Sequence, residues 1–245
     1  MTRFKLTLEY DGGPFVGWQR QENGHSVQAA LEDAVTDFCS ESALVEGAGR
    51  TDAGVHALGQ IAHVDIEKET DAGTVRDALN FYLRSVPICV LEAEAVDEDF
   101  HARFSARKRT YLYRILDRRP APAIEKGRVW WVPFSLNADA MHEAAQSLLG
   151  RHDFSSFRAT QCQADSPVKT LDLLDVSRAG NEVHINAQAR SFLHHQVRNF
   201  AGTLKLVGEG KWKPGEVAAV LAACDRTRAG PTAPPDGLYL VSVTY

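Results

Sequence analysis

The sequence predicts an α+β fold of two ferredoxin-like βαββαβ-type halves with antiparallel sheets and a central cleft. Three observations lead to it. Segments in which apolar side chains alternate with polar ones interleave with segments of helical periodicity. That rhythm runs through the chain twice, and 245 residues are enough for two modest domains of roughly 100 residues or more each. The boundary is expected near residue 105, giving an N-terminal domain over 1–105 and a C-terminal domain over 106–245.

FKLTLEY (4–10) alternates Phe4, Leu6, Leu8 and Tyr10 against polar neighbours, the period of a half-buried strand. Ser26 is placed to cap SVQAALEDAVTDF, where Val27, Leu31, Ala34, Val35 and Phe38 recur at helical spacing. Strands follow at about 44–49 and 60–66. TVRDALNFYL is expected to be helical, with Thr74 and Asp77 at capping-box spacing, and ICVLEAEAV returns to strand. In the second half RTYLYRIL reads as a strand, NADAMHEAAQSLLG as a helix capped by Asn137 and closed by Gly150, and TLDLLDVSRAGNEVHINAQA as two strands around an Ala-Gly-Asn turn. A helix from about 193 carries Val197, Phe200, Ala201 and Leu204 on one face and ends at Gly208. A short helix opens at Pro214, and GLYLVSVTY closes the chain as a strand.

Composition narrows the class. With 44% hydrophobic residues the chain has material for a core, and no apolar run approaches the roughly 20 residues of a membrane helix. MTRFKLTLEYDG alternates like a strand and not like a signal peptide, so the expected location is cytoplasmic with no membrane partner. Four cysteines, at 39, 89, 162 and 224, form no CxxC pair, which points to reduced, packed thiols and no metal centre. The net charge of −5 is unevenly spread. Residues 101–119 carry seven Lys or Arg against one acid, whereas 92–99 carry five acids and no base. A basic segment interleaved with aromatics suits a polyanion even in an acidic protein.

The most informative stretch is GAGRTDAGVHALGQ, residues 47–60. Its glycines permit positive φ and close backbone approach, and its centre carries Arg50, Thr51 and Asp52 side by side. A dinucleotide-binding loop is excluded, because Asp52 stands where a third small residue should open a helix and would repel a pyrophosphate. There is no GxxxxGK[ST], no GxSxG elbow and no zinc-deaminase signature. His194 and His195 are adjacent on one helix, point about 100° apart and lack a third ligand at metal spacing, so they are assigned to structure or RNA contact.

This loop closely resembles the active-site motif of the A-type tRNA pseudouridine synthases. The resemblance continues through LEYDGGPFVGWQRQ (8–21), SVQAALE (26–32), DFHARFSARKRTYLYRI (99–115), FLHHQVRN (192–199) and DRTRAGPTAPPDGLYL (225–240). One departure is NFYLRSVP at 80–87, where many relatives have a compact Asn-x-x-Leu-Pro.

The resemblance implies an isomerase that breaks the N1–C1′ bond of a uridine, turns the uracil and joins C5 to C1′, in the anticodon stem-loop at about positions 38–40 of tRNA. No cofactor is consumed. Asp52 matches the catalytic aspartate, acting by attack at C1′, by attack at C6 or through an elimination intermediate; a carboxylate of ordinary pKa, about 3.9, is ionised at pH 7. Arg198 matches its basic partner and Tyr111 the tyrosine packed on the target base. Arg50 holds the flipped nucleotide, with Thr51 beside it in the substrate-binding motif. Trp18, Gln19, Arg103, Arg107, Lys108 and Arg109 are the expected RNA contacts. Family members act as homodimers. Two other readings fit a lone loop aspartate: a nucleoside hydrolase, which would pair two carboxylates, and an RNA-binding module without catalysis.

Overall fold

The alternation seen in the sequence becomes ten strands and five helices in a computed structural model that describes all residues, Met1–Tyr245. They are grouped in two compact units, Met1–Arg107 with Tyr239–Tyr245, and Lys108–Leu238. The final strand thus belongs by its packing to the first unit.

In the first unit, β1 (Thr2–Tyr10) buries Phe4, Leu6, Leu8 and Tyr10. It lies antiparallel between β3 (His56–Ile66) and β4 (Ile88–Val96), and the two-residue β2 (Glu46–Gly47) adds to the other edge of β3, giving the order β4-β1-β3-β2. Helices α1 (Val27–Cys39) and α2 (Ala72–Leu83) pack on each other and supply Val27, Leu31, Val35, Val75 and Leu79 to the core. Ser26 caps α1 as expected, its hydroxyl accepting from the Ala29 N–H at 3.2 Å. The cap of α2 is Asp71, not Thr74: the Asp71 carboxylate accepts from the Thr74 N–H at 3.0 Å and from its hydroxyl at 2.6 Å, so Thr74 and Asp77 both lie inside the helix. The segment with the largest departure in sequence, 80–87, is anchored by the Asn80 side chain, which exchanges two hydrogen bonds with the backbone of Val90.

Strand β3 is buried along most of its length because both its faces are covered. On one side lie the helices. On the other, Ala48, Ile61 and Ala102 meet Phe100, Val243 and Tyr245, and the Tyr245 hydroxyl donates to the Ala102 carbonyl at 2.7 Å. This is why β10 (Leu238–Thr244) joins the first unit, pairing parallel to β3 through Tyr239 and Leu240.

In the second unit the order is β5 (Lys108–Leu116), β9 (Glu182–Ala189), β8 (Val168–Ala179) and β7 (Gly150–Asp153), all antiparallel, with β6 (Trp130–Trp131) alongside β5. Asn137 caps α3 (Ala138–Gln146) through the Ala140 N–H at 3.0 Å. Gly150 does not close that helix; it opens β7 at φ 95°. Helices α4 (Gln196–Gly208) and α5 (Pro214–Ala223) complete the unit. Gly202 on α4 lets the 230–233 segment press against the helix: a Cβ there would lie 1.7 Å from the Pro231 carbonyl oxygen.

Across β1 and β3, Arg3 and Asp65 sit directly opposite and form a two-pronged pair at 2.8 and 2.7 Å. The Arg3 guanidinium holds the Asp65 carboxyl below its ordinary range. The unfolded chain therefore takes up a proton before the folded one on acidification, so the pair stabilises fully above about pH 4 and is lost as pH falls through the depressed folded value. Asp65→Asn should cost about 1 kcal/mol at pH 7. In urea titrations its midpoint should converge on that of the parent protein near pH 2 to 3, on the order of the unfolded carboxyl pKa or below. A gap that stays constant with pH would contradict this account.

Candidate active site

The loop between β2 and β3 is tied down at Gly49, Thr51, Asp52 and Val55. The Thr51 side chain is buried, and its hydroxyl meets the Tyr10 hydroxyl at 2.8 Å. The Thr51 carbonyl accepts from the Trp18 N–H at 3.0 Å, and Gly17 bridges to Asp52. Gln60 donates from its side-chain amide to the Gly49 carbonyl at 2.7 Å, and the Val55 N–H closes a turn onto the Asp52 carbonyl at 3.1 Å. With Thr51 turned inward, Arg50 is exposed and Asp52 partly so.

Two glycines of the 8–21 segment make this approach possible. Gly17 has φ 116°, and a Cβ on it would lie 2.8 Å from the Thr51 carbonyl oxygen. At Gly12 a Cβ would lie 2.1 Å from the Val55 carbonyl oxygen, and the Gly12 N–H instead reaches His56 Nδ1 at 3.0 Å. Burial raises the Tyr10 phenol to about 12, so it remains a hydrogen-bonding hydroxyl throughout the neutral range.

In the second unit Tyr111 lies on β5 opposite Ala187 of β9 and is 9% exposed. The Phe192 ring packs edge-on against it, centroids 5.2 Å apart at 88°. Arg198 is on the first turn of α4. Its Nε donates to the Ala233 carbonyl at 2.8 Å, while the Ala233 N–H returns a bond to the Arg198 carbonyl at 3.1 Å. The helix starts at 196, later than the periodicity implies, because His195 takes a left-handed conformation at φ 62°. The His194 and His195 rings lie together with centroids 3.9 Å apart. Asn199 fixes the same turn by donating to the Phe157 carbonyl and accepting from Thr232.

Among the expected RNA contacts, Gln19, Arg103, Arg107 and Lys108 are exposed. Trp18 is not: it is 3% exposed, and its ring fills the space beside Gly47, where a Cβ would lie 2.5 Å from the indole. Its contribution is to seat the loop from beneath. Arg109 is likewise buried, its guanidinium bound to the Arg190 carbonyl at 2.5 Å. Tyr10, Gln60, Phe192 and Ala233 support the site without any signal in the sequence that would single them out. Tyr10 has the look of one more core position of a strand, and Gln60 that of a polar residue closing the motif.

One cluster in the first unit has metal-like composition. Glu46, His63 and His101 bring a carboxylate oxygen and two ring nitrogens within 4.8 Å of one another. Yet His63 Nδ1 accepts from the Ala102 N–H at 3.3 Å, and His101 Nδ1 from the Arg103 and Phe104 N–H groups at 3.1 and 3.4 Å. Each neutral ring therefore carries its proton on Nε2, 3.5 Å from Glu46 Oε2, where a metal would need a lone pair. Burial first, with Arg3 and His101 adding, lowers the His63 pKa and favours the neutral ring. The cluster holds the turn that presents Arg103.

The protein is a mostly antiparallel α+β framework in which a tethered glycine loop presents an arginine beside an aspartate. The chain belongs to the tRNA pseudouridine synthase family, whose sequence pattern matches residues 7–105 and 144–245. It is 62% identical over 245 residues to the tRNA pseudouridine synthase A of Rhodospirillum centenum, covering all of both chains. It is 61% identical to that of Paramagnetospirillum magneticum, covering all of this chain and 96% of the relative, and 58% identical to that of Xanthobacter autotrophicus, covering all of both.

Gly17→Ala is expected to destabilise the protein by about 1–3 kcal/mol, combining a positive φ with a carbonyl clash. Gly215→Ala is the control, since a Cβ there meets nothing within 4 Å. Thermal melts should separate the two, with Gly215→Ala at or slightly above the parent midpoint. Equal midpoints would show that the close approach at Gly17 is not a constraint.

Proposed function

We infer that this chain isomerises uridine to pseudouridine in tRNA, at about positions 38–40 of the anticodon stem-loop, with Asp52 as the catalytic carboxylate. The observation that carries the reading is the Arg50-Thr51-Asp52 loop, rigid enough to present two opposite charges side by side, in a chain of this family along its whole length. The N1–C1′ bond breaks, C5 joins C1′, the C5 proton leaves and N1 gains a proton, so atoms balance without a cofactor.

Each group has a role suited to its chemistry. Asp52 supplies negative charge to a sugar or base that becomes electron-poor as the glycosidic bond opens. Arg198, aligned by the Ala233 carbonyl, supports that carboxylate in a desolvated setting. Tyr111 offers a ring face to the uracil, steadied by Phe192. Arg50, exposed and planar, fills the space a flipped nucleotide leaves in the stem, and Thr51 fixes its direction. Gln19, Arg103, Arg107 and Lys108 meet the backbone of the stem.

The strand order β4-β1-β3-β2 with α1 and α2 supports a ferredoxin-like reading of the first half, and β5, α3, β8, β9, α4 and β10 repeat the alternation in chain order. We take 1–105 as the domain carrying the aspartate loop and 106–245 as the domain carrying Tyr111 and Arg198, while Tyr239–Tyr245 groups by its packing with the first compact unit. The working form is a cytoplasmic homodimer.

Release of tritium from tRNA labelled at uridine C5 measures the reaction. Asp52→Asn should abolish release, by a factor of about 10³ or more, while tRNA still binds. Free uracil among the products would instead make the protein a hydrolase, and normal turnover by the variant would remove Asp52 from its role. Arg50→Ala should slow single-turnover release by about tenfold to a hundredfold with a smaller change in initial tRNA binding, as a cost of a few kcal/mol in holding the extruded base implies. Unchanged single-turnover kinetics would remove Arg50 from base extrusion.

A further inference from the structure

Beyond the residues assigned so far, the second unit carries a groove of about 460 Å³ formed where β7, β8 and the end of β9 come together. Arg151, Lys169 and Arg190 line it. None of the three makes an ion pair. The arginines that build the framework do: Arg3 with Asp65, Arg114 with Glu182, and Arg178 with Asp117. In a chain of net charge −5, three cations against one acid make this groove a local excess of positive charge. The hydroxyls of Ser166, Thr170 and Ser191 line the same groove, and its one acid is Asp172.

The lining decides the ligand class. Val168 is its only apolar side chain, so the groove lacks the apolar surface that holds a base or a small organic molecule. Cations with hydroxyl donors suit phosphodiester oxygens. The volume exceeds the need of one phosphate and fits a stretch of sugar-phosphate backbone. The geometry is also shaped: β8 carries a bulge between Leu171 and Leu173, opposite the end of β9, and such a bulge redirects side chains.

We propose that this groove is a phosphodiester-binding site for tRNA, gripping the backbone of the substrate away from the reacting uridine. It rests on the tRNA reading above and adds a second purpose to the 188–192 segment. The Arg190 carbonyl holds the Arg109 guanidinium, and Phe192, next to Ser191, packs on Tyr111. The groove therefore adjoins the short stretch that seats the tyrosine without including it.

The test is the full-length Arg151→Gln/Lys169→Gln/Arg190→Gln protein with whole tRNA. Affinity should fall, KM should rise roughly tenfold with kcat unchanged, and the slope of log affinity against log salt should flatten by about 2 to 3, on the order of three lost phosphate contacts. Because these side chains make no ion pairs, the thermal midpoint should stay within a degree or two, as for other exposed sites of roughly ±0.5 kcal/mol. Asp172→Asn should tighten binding. A Lys126→Gln/Lys213→Gln control and the Arg151→Gln/Arg190→Gln double remove equal charge, and only the latter should weaken binding. Parent-like affinity and slope in the triple variant, or equal loss in the control, overturns the groove while wild-type tritium release still stands. Absence of release from the wild type overturns the functional reading itself.

Discussion

The inward turn of Thr51 is the constraint on which the site depends. A hydroxyl buried in a glycine-rich loop needs a partner, and Tyr10 provides it at 2.8 Å. Around that bond Arg50 is exposed and Asp52 half-buried. The Thr51 carbonyl is taken by Trp18, and the Gly49 carbonyl by Gln60. Glycine here serves contact between backbones. At Gly17 and Gly12 there is no room for a methyl group, so the loop has little of the freedom that its composition suggests.

The same division between fixed and presented groups governs the charges. Arg3, Arg114 and Arg178 are spent on carboxylates within the framework. Arg109 and Arg198 each donate to a backbone carbonyl, those of Arg190 and Ala233, which fixes the direction of the guanidinium. An arginine paired to an acid has lost its field at short range, so a polyanionic substrate responds to the cations that the framework does not consume. Net charge of −5 therefore says little about what the surface can bind.

How much of this is legible in the sequence follows from the range of the interactions. Caps at Ser26 and Asn137 are readable because donor and acceptor are three residues apart. Thr74 misleads because Asp71, three residues upstream, is an equally good cap and wins by bonding both the Thr74 N–H and its hydroxyl. Gly150 carries the mark of a helix end, but its positive φ opens a strand. The late start of α4 depends on His195 in a conformation seldom used by a residue with a Cβ, which periodicity does not register. The packing of β10 with the first unit depends on Phe100, Ala102 and Tyr245, contacts across more than 140 residues. The motif itself is plain. The burial of Trp18 is not, since an aromatic residue in a glycine loop reads equally as a displayed ring or as its floor.

Tyr111 shows why a residue's role is set by its support as much as by its type. An exposed tyrosine could stack on a base, but it would lose rotamer freedom on doing so. Tyr111 has lost it already, on a paired strand, with Phe192 edge-on against its ring and little of the residue left uncovered. Arg198 is similar: the exchange of two hydrogen bonds with Ala233 fixes the guanidinium before any substrate arrives. A group fixed in advance costs no reorganisation when charge develops near it. The three proposed site residues thus stand on a tethered loop, on a strand and on the first turn of a helix, each held by its neighbours.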